Sequence, residues 1–226
     1  MNTERAQVGW GFWLGWVLAS TVGGAVGVAV GGLTLFIFVA FAVDADLDVV
    51  GKTLLGAVGF AVFGAVIGAS LGIAQWLVLR RQVSEPASSA SPWPFSWRLL
   101  WESDLGIAQW LDARVIPLLR RTWVLASTVG GTVGVAVGGT VGEVVGGAVG
   151  VAVAATVIGA SLGIAQWLVL RRQVSRAGWW VLASTVGFVA TFAVTSAVSF
   201  VVGGAMGGAI TGAVLVWLLR QPRPEA

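Results

Sequence analysis

The stretch from Trp123 to Leu170 carries one charged residue, Glu143, and no proline. No other feature limits the fold as strongly. As a single helix it would be about 70 Å long, more than twice the roughly 30 Å hydrocarbon core of a bilayer. Folding it back between Gly138 and Gly147, where glycine is densest, gives two spans of about 20–25 residues each. Arg120 and Arg121 precede the run and Arg171 and Arg172 follow it, so both ends of this hairpin lie on one face of the membrane. A β-barrel is the structural rival, because Gly134-Val135-Ala136-Val137 alternates. Barrel strands need one polar face, and here both parities stay apolar for long stretches.

Two sequence units repeat around this hairpin. Unit A, Trp16-Val17-Leu18-Ala19-Ser20-Thr21-Val22-Gly23-Gly24, recurs from Trp123 to Gly131, and its first eight residues return from Trp180 to Gly187. Unit B, Val66 to Ser84, is identical from Val157 to Ser175, and a weaker version ends at Trp217-Leu218-Leu219-Arg220. The order A, B, A, B, A, B predicts an all-α membrane protein of six transmembrane helices, arranged as three repeated glycine-rich hairpins. They occupy residues 8–81, 122–172 and 178–220 of one integral membrane domain. The first hairpin folds around Asp44 to Asp48 and the third around Val201 to Gly204. Trp16 recurs as Trp123 at a longer offset than Val66 recurs as Val157. The first hairpin is therefore longer, by about 12 Å on each helix, and projects or bends on its acidic side. Phe36, Phe38 and Phe41 stand near the base of that projection.

The apolar run from Val8 to Val43 is expected to be a retained span and not a secretory signal, because it far exceeds a signal's apolar core of roughly 7–15 residues and near-copies of it recur later in the chain. Charge distribution fixes the expected orientation. Arg5, Arg80, Arg81, Arg98, Arg114, Arg120, Arg121, Arg171, Arg172, Arg176, Arg220 and Arg223 fall on one side of this topology. Asp44, Asp46, Asp48, Glu143 and the single lysine, Lys52, fall on the other. The positive-inside rule then predicts that both termini are cytoplasmic, with the chain in the cell inner (cytoplasmic) membrane. The tryptophans, from Trp10, Trp13 and Trp16 through Trp76, Trp123, Trp167, Trp179, Trp180 and Trp217, group near the arginine side as a one-sided aromatic belt.

Residues 82–121 form a connector that opens with a Pro/Ser-rich stretch from Ser84 to Ser96. Within it, Leu105-Gly106-Ile107-Ala108-Gln109-Trp110-Leu111 repeats the core of unit B, but Glu102, Asp104, Asp112, Arg114 and Pro117 surround the copy. Burying such charges costs roughly 2.5–3.5 kcal/mol each at midplane. The segment from Trp97 to Leu119 is therefore expected to be a cytoplasmic interfacial amphipathic helix.

The chain is 57% apolar and only 10% charged, with a net charge of +3 and no Cys or His. That composition excludes thiol catalysis, disulfides, and the usual soft-metal or haem ligand sets. The dispersed arginines make no nucleic-acid patch. Gly68-Ala69-Ser70-Leu71-Gly72 and Gly159-Ala160-Ser161-Leu162-Gly163 spell G-x-S-x-G, but a nucleophile elbow needs a strand-to-helix turn and a base. Here both serines sit mid-helix and are expected to bond their own i−4 carbonyls. Gly51-Lys52-Thr53 lacks the first glycine of a phosphate-binding loop, with Asp46 in its place. Asp44, Asp46 and Asp48 open like a calcium loop, yet Val49 replaces its turn glycine and Leu55 its closing glutamate. No cofactor, catalytic residue or metal ligand is expected.

The glycine rows Gly23, Gly27, Gly31 and Gly130, Gly134, Gly138, Gly142, Gly146, Gly150 lay a smooth strip along one helix face. Backbones can approach there, either within the chain or across a homo-oligomeric seam. Gln75 and Gln166, each followed by Trp, are candidate polar contacts across helices.

The strings Leu-Gly-Ile-Ala-Gln-Trp-Leu-Val-Leu-Arg-Arg-Gln-Val and Arg176-Ala177-Gly178-Trp179-Trp180-Val181-Leu182-Ala183-Ser184 resemble those repeated in uncharacterised bacterial polytopic membrane proteins. The resemblance covers most of the chain outside the connector and implies the topology, with no activity or site. The residues favour a non-catalytic helix-packing module that self-associates or binds other membrane proteins. The alternative is a small-solute channel or transporter, a class in which internal repeats are common.

Overall fold

A computed structural model describes residues 9–44, 48–84, 106–171, 174 and 176–221, with side-chain surroundings for all of these except 42, 44, 80–84 and 106–121. The described chain is helical, with no strand among the described residues. Its helices are α1 (Trp10–Asp44), α2 (Val49–Ser84), α3 (Gly106–Val145), α4 (Gly147–Leu170), α5 (Trp179–Ala197) and α6 (Phe200–Arg220). In hydrocarbon no water is at hand to satisfy backbone polar groups, so an apolar run of this length is held as helix. Six stretches are long and apolar enough to cross a membrane, one within each helix. The protein is a multi-pass membrane protein by that measure.

Each helix packs against its two neighbours in sequence, and α6 returns to pack on α1. The result is a closed ring of six helices. Glycine contacts show that every neighbouring pair runs antiparallel. Along α1 and α2, for example, Gly23 faces Ala74, Gly27 faces Ile67 and Gly31 faces Phe63. The Trp-bearing starts of α1 and α5 therefore share one end of the ring with the arginine-bearing ends of α4 and α6.

Large aliphatic side chains point outward. Leu18, Val22, Val26 and Val30 of α1, and the equivalent Leu125, Val129, Val133 and Val137 of α3, are all exposed. Lipid exacts no penalty for this. Glycine and other small residues occupy the faces where neighbouring helices meet, because in lipid it is close packing rather than apolar burial that holds helices together.

The turns differ in detail from expectation. In the second hairpin the chain reverses at Gly146 and Gly147, whose φ of 71° and 57° suit glycine. Gly146 was expected in the packing row. Instead a side chain there would meet nothing within 4 Å. The third hairpin turns a few residues before Val201, at Val198-Ser199, where the Ser199 hydroxyl accepts the Val202 N–H at 3.3 Å and caps α6. Gly203 and Gly204, expected in that turn, lie on α6 and pack against Thr195 of α5 and Thr21 of α1. Asp48 starts α2 by accepting the Gly51 N–H at 2.8 Å. Asp46 lies outside the described residues.

α1 and α2 have 35 and 36 residues, whereas α5 and α6 have 19 and 21. At 1.5 Å per residue, α1 is about 52 Å long and α5 about 28 Å. Phe36 and Phe41 are exposed on the long hairpin, while Phe38 packs near Gly59 of α2. The connector also departs from expectation. From Gly106 onward it is not a separate helix, because α3 runs unbroken through Pro117 to Val145. Residues 85–105 lie outside the described residues.

Candidate functional site

Two kinds of glycine seam close the ring, and each repeats around it. Inside the first two hairpins, unit A glycines receive unit B. A Cβ on Gly27 would lie 2.9 Å from Ile67 Cα, and one on Gly134 would lie 2.9 Å from the equivalent Ile158 Cα. Gly23 and Gly130 meet Ser70 and Ser161 in the same way. Gly31 abuts Phe63, Gly138 abuts Ala154, and Gly142 and Gly150 abut each other. The expected i−4 carbonyl bonds are made by threonines, such as Thr21 to Val17 and Thr128 to Val124, both at 2.8 Å. Ser70 and Ser161 serve instead as the packing surface for these glycines.

Between hairpins the direction reverses, and unit B glycines receive the next unit A. A Cβ on Gly163 of α4 would lie 2.9 Å from Val181 Cα and 3.0 Å from Ser184 Cβ. Gly72 of α2 meets Val124 and Ser127, the same residues of unit A. Gly208 of α6 meets Val17 and Ser20, again the same residues. This match sets the register of α6. With Gly208 in the place of Gly72 and Gly163, Thr211 occupies the place of Gln75 and Gln166, and Leu215 that of Leu79 and Leu170. The Trp217-Leu218-Leu219-Arg220 ending therefore lies about one helical turn beyond the place its similarity to unit B suggests.

Trp16, Trp123 and Trp180, the first residues of the three unit A copies, meet on the ring axis. Their ring centroids are 6.3 Å (Trp16 to Trp123), 5.8 Å (Trp16 to Trp180) and 6.1 Å (Trp123 to Trp180) apart, all edge-on or tilted. These separations are favourable for indole pairs. All three are buried, together with Trp76. This corrects the expectation of an aromatic belt. Trp10 and Trp179 are exposed at that end, but the repeated Trp of unit A plugs the axis.

Beside the plug lies a buried polar network. The Trp180 indole N–H donates to Gln166 Oε1 at 2.9 Å, and the Gln166 amide donates to Ser127 Oγ at 2.9 Å and to Gln75 Oε1 at 3.4 Å. Gln75 donates to Ser20 Oγ at 3.3 Å. Each glutamine thus reaches the serine of its own hairpin. In the third hairpin Thr211 accepts the Trp16 N–H at 3.1 Å but is too short to span to Ser184. Ser184 Oγ and Trp123 Nε1 are buried and make no hydrogen bond. Toward the acidic side the interior is apolar, with Val135, Ile158 and Leu162 packed against Phe60, Phe63, Phe188 and Phe192.

The expected polar contacts, Gln75 and Gln166, thus come together in one network. Their partners Ser20, Ser127 and Trp180, and beside them Trp16, Trp123, Ser184 and Thr211, are not marked as a site by the sequence reading. For the tryptophans and serines the available signal is their fixed place in each unit A, with Ser always four residues after Trp. Among the described residues no group of three or more Asp, Glu, Cys or His stands together to hold a metal. No protein-family model matches the chain, and neither a curated protein nor a solved structure shows significant similarity to it.

Proposed function

We propose that this chain is a non-catalytic membrane assembly module that self-associates or binds other membrane proteins. The observation that carries the reading is the filled axis. Three mutually packed indoles, backed by a Gln/Ser network, occupy the place where a conducting ring would keep a lumen. The glycine faces are consumed by internal seams, and the outer surface offers aliphatic side chains together with the long first hairpin. That surface suits lipid and other membrane-spanning helices, and the arginines are too dispersed for nucleic acid. Arginine bias supports an inner-membrane location with both termini cytoplasmic.

The second reading, a small-solute channel or transporter, draws on the buried polar network beside the axial indoles. Reconstitution separates the two. Liposomes carrying the protein should release entrapped small ions and neutral solutes no faster than empty vesicles. Its mass in nanodiscs, or its recovery with other membrane proteins after cross-linking, should exceed that of one chain. Rapid solute flux through a monomer would reverse the assignment.

A further inference from the structure

Trp16, Trp123 and Trp180 meet on the axis and so give the three unit A helices a common level. Measured from that level, the helices end at different heights on the acidic side, α5 at Ala197, α3 at Val145 and α1 at Asp44. At 1.5 Å per residue, α3 rises about 8 Å beyond α5, and α1 about 16 Å. The rim is a staircase, with the third hairpin lowest and the first highest.

Neither extreme is made for water. α1 has no charged residue from Trp10 to Val43, and near its top Leu33, Phe36, Ile37, Val39, Phe41 and Val43 are all exposed. At 3.6 residues per turn they spread over more than half of the helix circumference, and the remaining side packs Phe38 on Gly59 of α2. One docked helix would need a single stripe, whereas an apolar surface on every free side is what lipid surrounds. The same surface continues the exposed row of Leu18, Val22, Val26 and Val30 below it. At the low end, the third hairpin has no charged residue from Trp179 to Leu219, its turn included. Val198 and Val201 are exposed there. The serines of the turn bond its own backbone: Ser196 Oγ donates to the Ala193 carbonyl at 2.8 Å, and Ser199 Oγ accepts the Val202 N–H at 3.3 Å. A turn satisfied in this way tolerates a place beneath the headgroups.

We propose that lipid covers both ends of the staircase: the leaflet on the acidic side is raised around the first hairpin and drawn down over the third, so that the bilayer surface slopes across the ring. The apolar spans of α1 and α2 have 32 and 31 residues and those of α5 and α6 have 19 and 21, so no flat bilayer matches both hairpins. A core matched to the third leaves the top of the first in water, and a core matched to the first submerges the turn of the third. Long spans thicken the bilayer around them and short ones thin it, and a slope divides the difference between the two sides. The partner of the projecting surface is therefore acyl chain, longer or more stretched beside α1 and α2 than beside α5 and α6.

The chain has no cysteine, so single-cysteine variants of the full protein can each carry one bimane fluorophore. Phe41→Cys probes the top of the first hairpin, Val201→Cys the turn of the third, and Val26→Cys the middle of a span as control. Each is reconstituted in phosphatidylcholine vesicles, either with brominated acyl chains or with iodide in the water on both sides. Brominated chains should cause a loss of fluorescence at all three positions, and iodide at none. Iodide quenching at Phe41→Cys would place the first hairpin in water, and insensitivity there to both quenchers would mean that protein, such as a second copy, covers it. Either result overturns the proposal, as does iodide quenching at Val201→Cys. Ile37→Cys repeats the measurement should Phe41→Cys fail to fold. In a host bilayer of short-chain lipid, a minor fraction of long-chain brominated lipid should quench Phe41→Cys more strongly than Val201→Cys. Equal quenching would show that the leaflet does not slope.

Discussion

Thr211 accepts the indole N–H of Trp16 at 3.1 Å from the place in its hairpin where Gln166 accepts that of Trp180 at 2.9 Å. The two residues do the same half of one task. Gln166 performs the other half as well, donating to Ser127 of its own hairpin. Thr211 has no atom that reaches Ser184, and its hydroxyl hydrogen turns back to the Gly207 carbonyl at 2.9 Å. The third repeat is thus one amide short.

Restoring that amide should stabilise the ring. Thr211→Gln is expected to keep the bond from Trp16 and add one to Ser184 Oγ, satisfying a buried hydroxyl. A net gain of about 1 kcal/mol is expected for such a bond. Thermal unfolding in detergent should show a higher midpoint for Thr211→Gln than for the wild type. A lower midpoint would mean that the larger side chain does not fit beside the indoles.

Removing an existing amide should do the reverse. Gln166→Leu strips Trp180 of its acceptor and Ser127 of its donor, leaving two buried polar groups unpaired at a cost of about 2–3 kcal/mol. Gln75→Leu touches only the longer bonds, at 3.3 and 3.4 Å, and should be the milder change. Equal midpoints for the two variants would show that the network does not contribute as its geometry indicates.

Glycine replacements should divide by seam. Gly134→Leu puts a branched side chain where even a Cβ lies 2.9 Å from Ile158 Cα, forcing apart α3 and α4. Gly68→Ala already collides with the Ser127 carbonyl. Gly56→Ala meets nothing within 4 Å and should gain roughly 0.5–1 kcal/mol of helix propensity. Size-exclusion profiles and unfolding midpoints should separate the first two from the third. A Gly134→Leu protein as stable as wild type would place that row against lipid.

The helix count was legible because units A and B alternate three times along the chain, and because an apolar run as long as Trp123–Leu170 cannot cross a bilayer once. The glycine rows were legible as close-contact faces for the same elementary reason, but sequence could not say which helix each row meets. That depends on ring closure, which sets unit A glycines against their own hairpin and unit B glycines against the next. The tryptophans misled because Trp near a cluster of arginines is ordinarily interfacial. Trp16, Trp123 and Trp180 go inward because a threefold arrangement brings equivalent positions together on its axis, an effect that no single helix reveals. The register of α6 was hidden by the resemblance of its arginine-bearing end to unit B, whereas the glycine spacing, through Gly204, Gly208 and Thr211, carries the equivalence.

A single helix, α3, sets the orientation of the ring in the membrane. Asp112 and Glu143 both belong to α3, and at 1.5 Å per residue they stand about 46 Å apart along it, well beyond the roughly 30 Å hydrocarbon core. With the apolar stretch Thr122–Val145 crossing the bilayer, they are expected on opposite sides of the membrane, whether the first turns stand clear of the bilayer or bend along its surface at Pro117. Arg114, Arg120 and Arg121 lie near Asp112, so the positive-inside rule assigns that end to the cytoplasm and Glu143, which is exposed, to the far side. In intact cells an impermeant thiol reagent should label Glu143→Cys and leave Asp112→Cys unmodified until the membrane is opened. The converse pattern would invert the whole ring and place Arg171, Arg176 and Arg220 outside. Labelling of both from the same side would show that α3 does not cross, and the six-span count would fall with it.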